Sequence, residues 1–116
     1  MAVIRITDLA LRTIIGLNEW ERKVKQDIII NVEFEYNSKK AQRNDSAKHI
    51  VDYKAITKRI IALVEGSQFL LLEKLADMVL KIVMKSKMIK SAVVRIDKPQ
   101  ALRFAKSVSV EVKAKR

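Results

Sequence analysis

Glu73 stands in Phe69-Leu70-Leu71-Leu72-Glu73-Lys74-Leu75-Ala76, a stretch whose apolar spacing predicts a helix. Its neighbours three and four positions away on that helix are Phe69, Leu70, Ala76 and Asp77, so no cation answers its carboxylate. An unpaired carboxylate on a partly apolar face calls for donors from outside the helix, and a flat, amidine-like edge with two adjacent N–H groups supplies them. The local sequence fits a second reading equally, an acid in the first turn that answers the helix dipole. Lys98 precedes Pro99, which keeps its backbone extended and aims the amine, although a strand-end lysine is ordinarily just exposed. Tyr53 follows Asp52 at a helix entry, where a phenol can relay a proton or simply pack at an interface. Glu21 lies beside Arg22 between two elements, and its spacing alone describes a solvated loop charge.

Other chemistries are poorly supplied. The chain has no cysteine and one histidine, His49, which leaves no disulfide framework, no thiolate nucleophile and no Cys or His cluster for a metal. At 116 residues, 49% of them apolar, the expectation is one folded domain spanning 1–116. No apolar run is long enough to span a bilayer, and Met1-Ala2-Val3-Ile4-Arg5 does not open a secretory leader, so a cytoplasmic protein without a membrane partner is expected. The formal charge of +11 points to an anionic partner: nucleic acid, membrane surface or phosphorylated small molecule. Lys81, Lys85, Lys87 and Lys90 fall where a helix should end and favour its negative pole. Lys39, Lys40, Arg43 and Lys48 lie in the most polar stretch, read as a solvated loop in preference to a binding patch. Aromatics are only 5% of the chain and no basic recognition helix is present, which argues against a nucleic-acid-binding module.

The elements that must position these side chains follow from hydrophobic period. Asp27 to Tyr36 alternates, with Ile28, Ile30, Val32, Phe34 and Tyr36 on one side, and predicts a strand with one wet face. Val3 to Ile15 predicts a longer strand with a bulge near Thr7-Asp8, joined to the next by a long loop from Gly16 to Gln26. After the polar stretch from Asn37 to His49, Asp52 precedes a helix carrying Ile56, Ile60, Leu63 and Val64 up to Gly66. A second helix is predicted from Phe69 to Met88, with Leu72, Leu75, Ala76, Val79 and Val83 on its buried stripe. Strands at Ser91 to Asp97 and Lys106 to Lys113 close a β-β-α-α-β-β order: an α+β domain with two helices on one face of a four-stranded antiparallel sheet. Its two open edges predict edge-to-edge assembly into a ring.

Four segments on this frame are distinctive: Gly16-Leu17-Asn18-Glu19-Trp20-Glu21 with Gln26 beyond it, Val51-Asp52-Tyr53, Leu71-Leu72-Glu73-Lys74-Leu75-Ala76 and Ile96-Asp97-Lys98-Pro99. Together they resemble the dihydroneopterin aldolase family of the tunnelling fold across nearly the whole chain. Arg12-Thr13-Ile14-Ile15-Gly16 and Ala101-Leu102-Arg103-Phe104-Ala105-Lys106-Ser107-Val108-Ser109 are more similar to the branch of dihydroneopterin triphosphate 2'-epimerases. Aldolases usually carry a Tyr-His-Gly turn where this chain has Ile14-Ile15-Gly16.

The resemblance implies a pterin substrate, with Glu73 receiving the 2-amino and ring N–H groups and the backbone near Leu72, and near Val51 of an adjacent subunit, holding the other edges. Lys98 would work with water near ring N5, Tyr53 would relay protons, and Glu21 would contact the hydroxylated side chain, with Gln26, Gln100 and Arg103 near the substrate and Lys106 a further cation for a phosphate tail. The pterin would serve as its own electron sink, with no external cofactor or metal. The family implies a homo-oligomer of tetrameric rings stacked into an octamer, with tunnel-forming β-barrels. Epimerisation at C2' and aldol cleavage to 6-hydroxymethyl-dihydropterin share a first half, and retention of the aldehyde fragment decides between them. Epimerases commonly show His-Ala-Leu-Arg where this chain has Gln100-Ala101-Leu102-Arg103, and a glutamine cannot titrate near neutral pH.

Overall fold

The computed structural model describes all 116 residues and places four strands in the order β1-β2-β3-β4, every neighbouring pair antiparallel. The strands are β1 (Ala2–Thr13), β2 (Gln26–Tyr36), β3 (Ile89–Pro99) and β4 (Ser107–Lys115). In β2, Ile28, Ile30, Val32, Phe34 and Tyr36 all turn toward the helices and are buried, as strict alternation requires. Strand β1 keeps its apolar side chains on the same face only by a bulge. Pairing runs to Ile6↔Val32 and resumes at Leu9↔Ile30, with Asp8 at φ 54 and its N–H donating to Asn31 Oδ1 at 2.9 Å.

Between β2 and β3 run a short helix α1 (Lys39–Arg43) and the two long helices α2 (Tyr53–Glu65) and α3 (Leu72–Met84). The Asp52 carboxylate caps α2 by accepting from the Ala55 N–H at 3.0 Å, and Gly66 ends the helix by donating to the Ala62 carbonyl. Ile56, Ile60 and Val64 of α2 and Leu75, Ala76, Val79, Leu80 and Val83 of α3 form the faces that meet the sheet core.

Three expectations are corrected. The second helix is shorter than the Phe69–Met88 span predicted. Gln68 and Phe69 are held outside it because their carbonyls accept from the Arg22 guanidinium, and beyond Met84 the chain must turn so that Ile89 can enter β3 beside Tyr36. Of the lysines expected at its C-terminal pole, Lys81 alone occupies the last turn, paired with Asp77 at 3.1 Å, while Lys85 and Lys87 lie in the following turn and Lys90 in β3. The polar stretch read as a loop holds α1, although Lys39, Lys40, Arg43 and Lys48 are all exposed.

The chain is elongated, 52 × 27 × 22 Å with a radius of gyration of 15.6 Å; a compact domain of this length has about 13 Å. Its accessible surface is 7825 Å², against about 6,400 Å² for a typical monomer of this mass. The excess has visible sources: β1 and β4 are unpaired on their outer edges, and Leu17, Trp20, Tyr53, Leu70, Leu102 and Phe104 are exposed. No helix is long and apolar enough to cross a membrane.

Candidate active site

Alternation along β3 puts Lys98 on the same face as Val94 and Ile96, both buried, so its side chain runs under the helix layer. There Nζ donates to Glu21 Oε2, and only 14% of the lysine side chain remains exposed. Glu21 itself is 4% exposed, at the centre of a 3₁₀ turn, Trp20–Arg22. Neither residue is the solvated charge that its local sequence describes. The carboxylate is held from three sides: Lys98 Nζ, the Gln26 side-chain amide at 3.1 Å, and the Asn18 backbone N–H, which donates to Oε1 at 3.1 Å.

Gly16 is the floor of this arrangement. A Cβ there would lie 2.2 Å from the Glu21 carboxyl carbon, and the residue has φ +130, a conformation open to glycine and hostile to L side chains. Burial pushes the Glu21 carboxyl toward neutrality, but the hydrogen bonds from Lys98, Gln26 and Asn18 and the charge of Lys98 outweigh it, and its pKa falls from 4.5 to about 2. The result is an ion pair whose carboxylate stays ionised in a nearly dry setting, with the lysine amine at its partly open end. Such a pair can deliver a proton to a substrate atom and recover it without moving far.

The second half of the site is the entry to α3. Leu71 is its N-cap in extended conformation with no side-chain cap, Leu72 is the first helical residue, and Glu73 the next. Glu73 is exposed and its carboxylate has no hydrogen bond or ion pair within the chain. The segment leading into this helix is tied to the Glu21 turn. Arg22 Nη1 donates to the Gly16 carbonyl at 3.1 Å and the Phe69 carbonyl at 3.0 Å, and Nη2 to that of Gln68. Lys98, Glu21, Gln26 and the start of α3 are thus drawn into one region from four separate stretches of sequence.

The remaining predicted residues stand differently. Tyr53 is the first residue of α2, 49% exposed, and its phenol has no partner within the chain. Val51 has its side chain in the core and its carbonyl accepting from the Tyr53 N–H. Neither makes a hydrogen bond to the Lys98–Glu21 pair. Gln26 uses both amide hydrogens inside the protein, on Glu21 and on the Ile15 carbonyl at 2.8 Å, which makes it a support for Glu21. Gln100, at φ 59, begins the exposed β3–β4 loop that its N–H closes onto the Lys106 carbonyl at 3.0 Å. On that loop the Arg103 guanidinium lies 5.2 Å from the centre of the fully exposed Phe104 ring.

Three supports escaped the sequence reading: Gly16 as the surface on which Glu21 rests, the Asn18 N–H, and the Arg22 clamp. The scarcity of glycine was a usable signal. With only two in the chain, Gly16 in a loop opening had reason to occupy a conformation or a contact closed to other residues.

The family described as dihydroneopterin aldolase (FolB) matches residues 4–113. The dihydroneopterin triphosphate 2'-epimerase of Escherichia coli K12 is 44% identical over 115 residues, covering 99% of this chain and 96% of the relative. The dihydroneopterin aldolase of the same strain is 26% identical over 110 residues, 95% of this chain and 90% of the relative. Among solved structures, the E. coli dihydroneopterin aldolase in complex with neopterin superposes with a TM-score of 0.92 at 25% identity, over 98% of this chain and 99% of the other.

Proposed function

The chain belongs to the dihydroneopterin aldolase family, and from that premise we propose that it epimerises dihydroneopterin triphosphate at C2' through a retro-aldol step. The buried Lys98–Glu21 pair carries the reading, since it holds a lysine amine on an ionised carboxylate at the open end of the helix layer. The much higher identity to the epimerase than to the aldolase favours the epimerase branch.

In this reading Glu73, which has no partner of its own, accepts the 2-amino and ring N–H groups of the pterin, and the backbone N–H groups at Leu72 and the start of α3 face the other polar edge. Lys98, through ordered water, supplies the proton that N5 gains. The 2'-hydroxyl gives up its proton through the Tyr53 phenol to water, the C1'–C2' bond breaks, and its electrons enter the pterin ring as an enol-like system, while Glu21 holds Lys98 in place. The released glycolaldehyde, still carrying its phosphates, turns over and re-adds through its other face, which inverts C2' and returns the N5 proton. Arg103 and Lys106 on the β3–β4 loop are the cations proposed to retain the phosphorylated fragment.

Tyr53 and Val51 make no link to the pair within one chain, so the site is completed by an adjacent subunit. The open edges of β1 and β4, the surplus surface and the elongated shape support a closed ring, proposed as tetrameric and stacked into an octamer. Such an enzyme would work in the cytoplasm on a small pterin.

One observation keeps aldolase activity as a second reading. Gln100 stands where epimerases commonly carry histidine, which removes a titrating group from the loop beside Lys98. Incubating one purified preparation with dihydroneopterin triphosphate and with dihydroneopterin, and separating neopterin, monapterin and hydroxymethyl-dihydropterin by chiral chromatography, tests both. Monapterin triphosphate as the main product supports epimerisation; hydroxymethyl-dihydropterin alone overturns it in favour of the aldolase.

A further inference from the structure

We propose that Arg22 is a positioning residue that sets the distance between the Lys98–Glu21 pair and the pterin-holding end of α3, an inference that rests on the functional reading above. Arg22 ends the 3₁₀ turn that contains Glu21. Its guanidinium donates to carbonyls of two segments that are far apart in sequence: Gly16, beneath Glu21, and Gln68 and Phe69, immediately before α3.

The choice of partners is informative. Arg5, Arg12 and Arg95 each pair with an acid, Glu33, Asp27 and Asp97 respectively. Arg22 has no carboxylate and is half-buried against three neutral carbonyls. A planar fork with donors in fixed directions can bridge several carbonyl groups at once, which a lysine amine on a flexible stem does poorly. The other ties between these stretches are the Gly16 N–H to the Phe69 carbonyl, long at 3.4 Å, and, three residues before Gly16, the Thr13 hydroxyl donating to the Val64 and Ser67 carbonyls. The Thr13 bonds hold the end of β1, so for the turn itself the guanidinium is the main fastener to the segment before α3.

Which half moves when the fastener is lost follows from packing. Helix α3 is anchored independently by Leu75, Ala76, Val79 and Val83, all fully buried, so Glu73 keeps its place. The turn from Gly16 to Arg22 has no apolar anchor: Leu17, Asn18, Glu19 and Trp20 are all exposed, and apart from Arg22 it is held through the Glu21 carboxylate, by Lys98 and Gln26. Removing Arg22 leaves the ring-binding acid where it is and lets the turn carrying Glu21 drift. A misplacement of about 1 Å at the reacting groups can cost on the order of 100-fold in rate.

The test uses the full chain with Arg22→Ala and Arg22→Lys. Arg22→Ala is expected to lower kcat by about 10- to 100-fold while the Kd for neopterin, a non-reacting ring probe, changes by less than about threefold. Arg22→Lys should fall between it and wild type, and added guanidinium ion should restore part of the lost turnover in Arg22→Ala. Hydrogen exchange should quicken at residues 16–22 and stay protected in α3. A kcat within twofold of wild type overturns the proposal, as does a neopterin Kd that rises in step with the loss in kcat. Should Arg22→Ala fail to fold, Arg22→Lys answers the same questions. A wild-type enzyme inert on both pterins would overturn the functional reading instead, and the exchange measurement would still decide whether Arg22 fastens the turn.

Discussion

The Lys98 amine and the Glu21 carboxylate, 77 residues apart in sequence, meet as a buried ion pair at the end of β3. Neither can be removed alone without stranding the other in a place poor in water. Lys98→Ala should cost about 3–5 kcal/mol of stability and lower turnover by about 100-fold or more. Pairing it with Glu21→Gln should recover part of the stability and none of the turnover. Denaturant unfolding of the two single variants and the double variant, read as a cycle, measures the coupling. Simple additivity of the two losses would contradict the ion pair.

The pH dependence follows from the lowered pKa of Glu21. Folding favours its ionised form, with a pKa of about 2 in the native protein against 4.5 ordinarily. The associated stability is complete above the ordinary value and is lost as pH falls through the folded value. Its size is about 3 kcal/mol at neutral pH. The stability gap between wild type and Glu21→Gln should be flat from about pH 6 to 8 and narrow steadily below about pH 4.5. A gap that is unchanged down to about pH 2.5 would sink this account.

Gly16→Ala tests the floor under that carboxylate. The new methyl would sit 2.2 Å from the Glu21 carboxyl carbon on a backbone at φ +130. Glu21 must then leave its position, and a loss of about 3 kcal/mol together with most of the activity is expected. A calorimetric melting curve and a turnover assay suffice, and an alanine variant as active as wild type would show that Glu21 need not rest there.

Glu73→Gln separates a binding acid from a structural one. The residue has no partner in the chain, so its contribution to stability is limited to the helix dipole, about 0.3–1 kcal/mol. Its proposed charge-assisted bonds to the pterin are larger, and neopterin affinity should fall by about 10- to 100-fold. Calorimetric titration together with a melting curve distinguishes the two readings: weak binding with near-normal stability supports the site, whereas unaltered binding removes its anchor.

Subunit complementation tests whether Tyr53 serves a neighbour's Lys98. Tyr53→Phe and Lys98→Ala proteins, each nearly inactive, should regain activity when unfolded together and refolded as a mixture, because some sites then combine an intact Tyr53 with an intact Lys98. The yield should approach about a quarter of wild type at equal mixing. A mixture no more active than its components would place both residues in one subunit's site.

The sequence by itself determined the frame. Alternation in β2, the Asp52 cap, the Gly66 stop and the apolar stripe of α3 are local properties of residues two to four positions apart, and each is visible without any partner. The slip in β1 near Thr7-Asp8 was legible for the same reason, since a bulge breaks a local period. Candidate residues were legible as types: Glu73 stood out by the cation its helix neighbours lacked, and Lys98 by the proline that follows it. What only the tertiary structure decided was company. Glu21 reads as a solvated charge among polar neighbours until the sheet brings Lys98 over it and Gly16 beneath it, and only then does its carboxyl become both buried and strongly ionised. The boundaries of α3 were likewise set from outside, by the Arg22 guanidinium at one end and the register of Ile89 with Tyr36 at the other. Burial and charge pairing depend on residues distant along the chain, so no local window contains them.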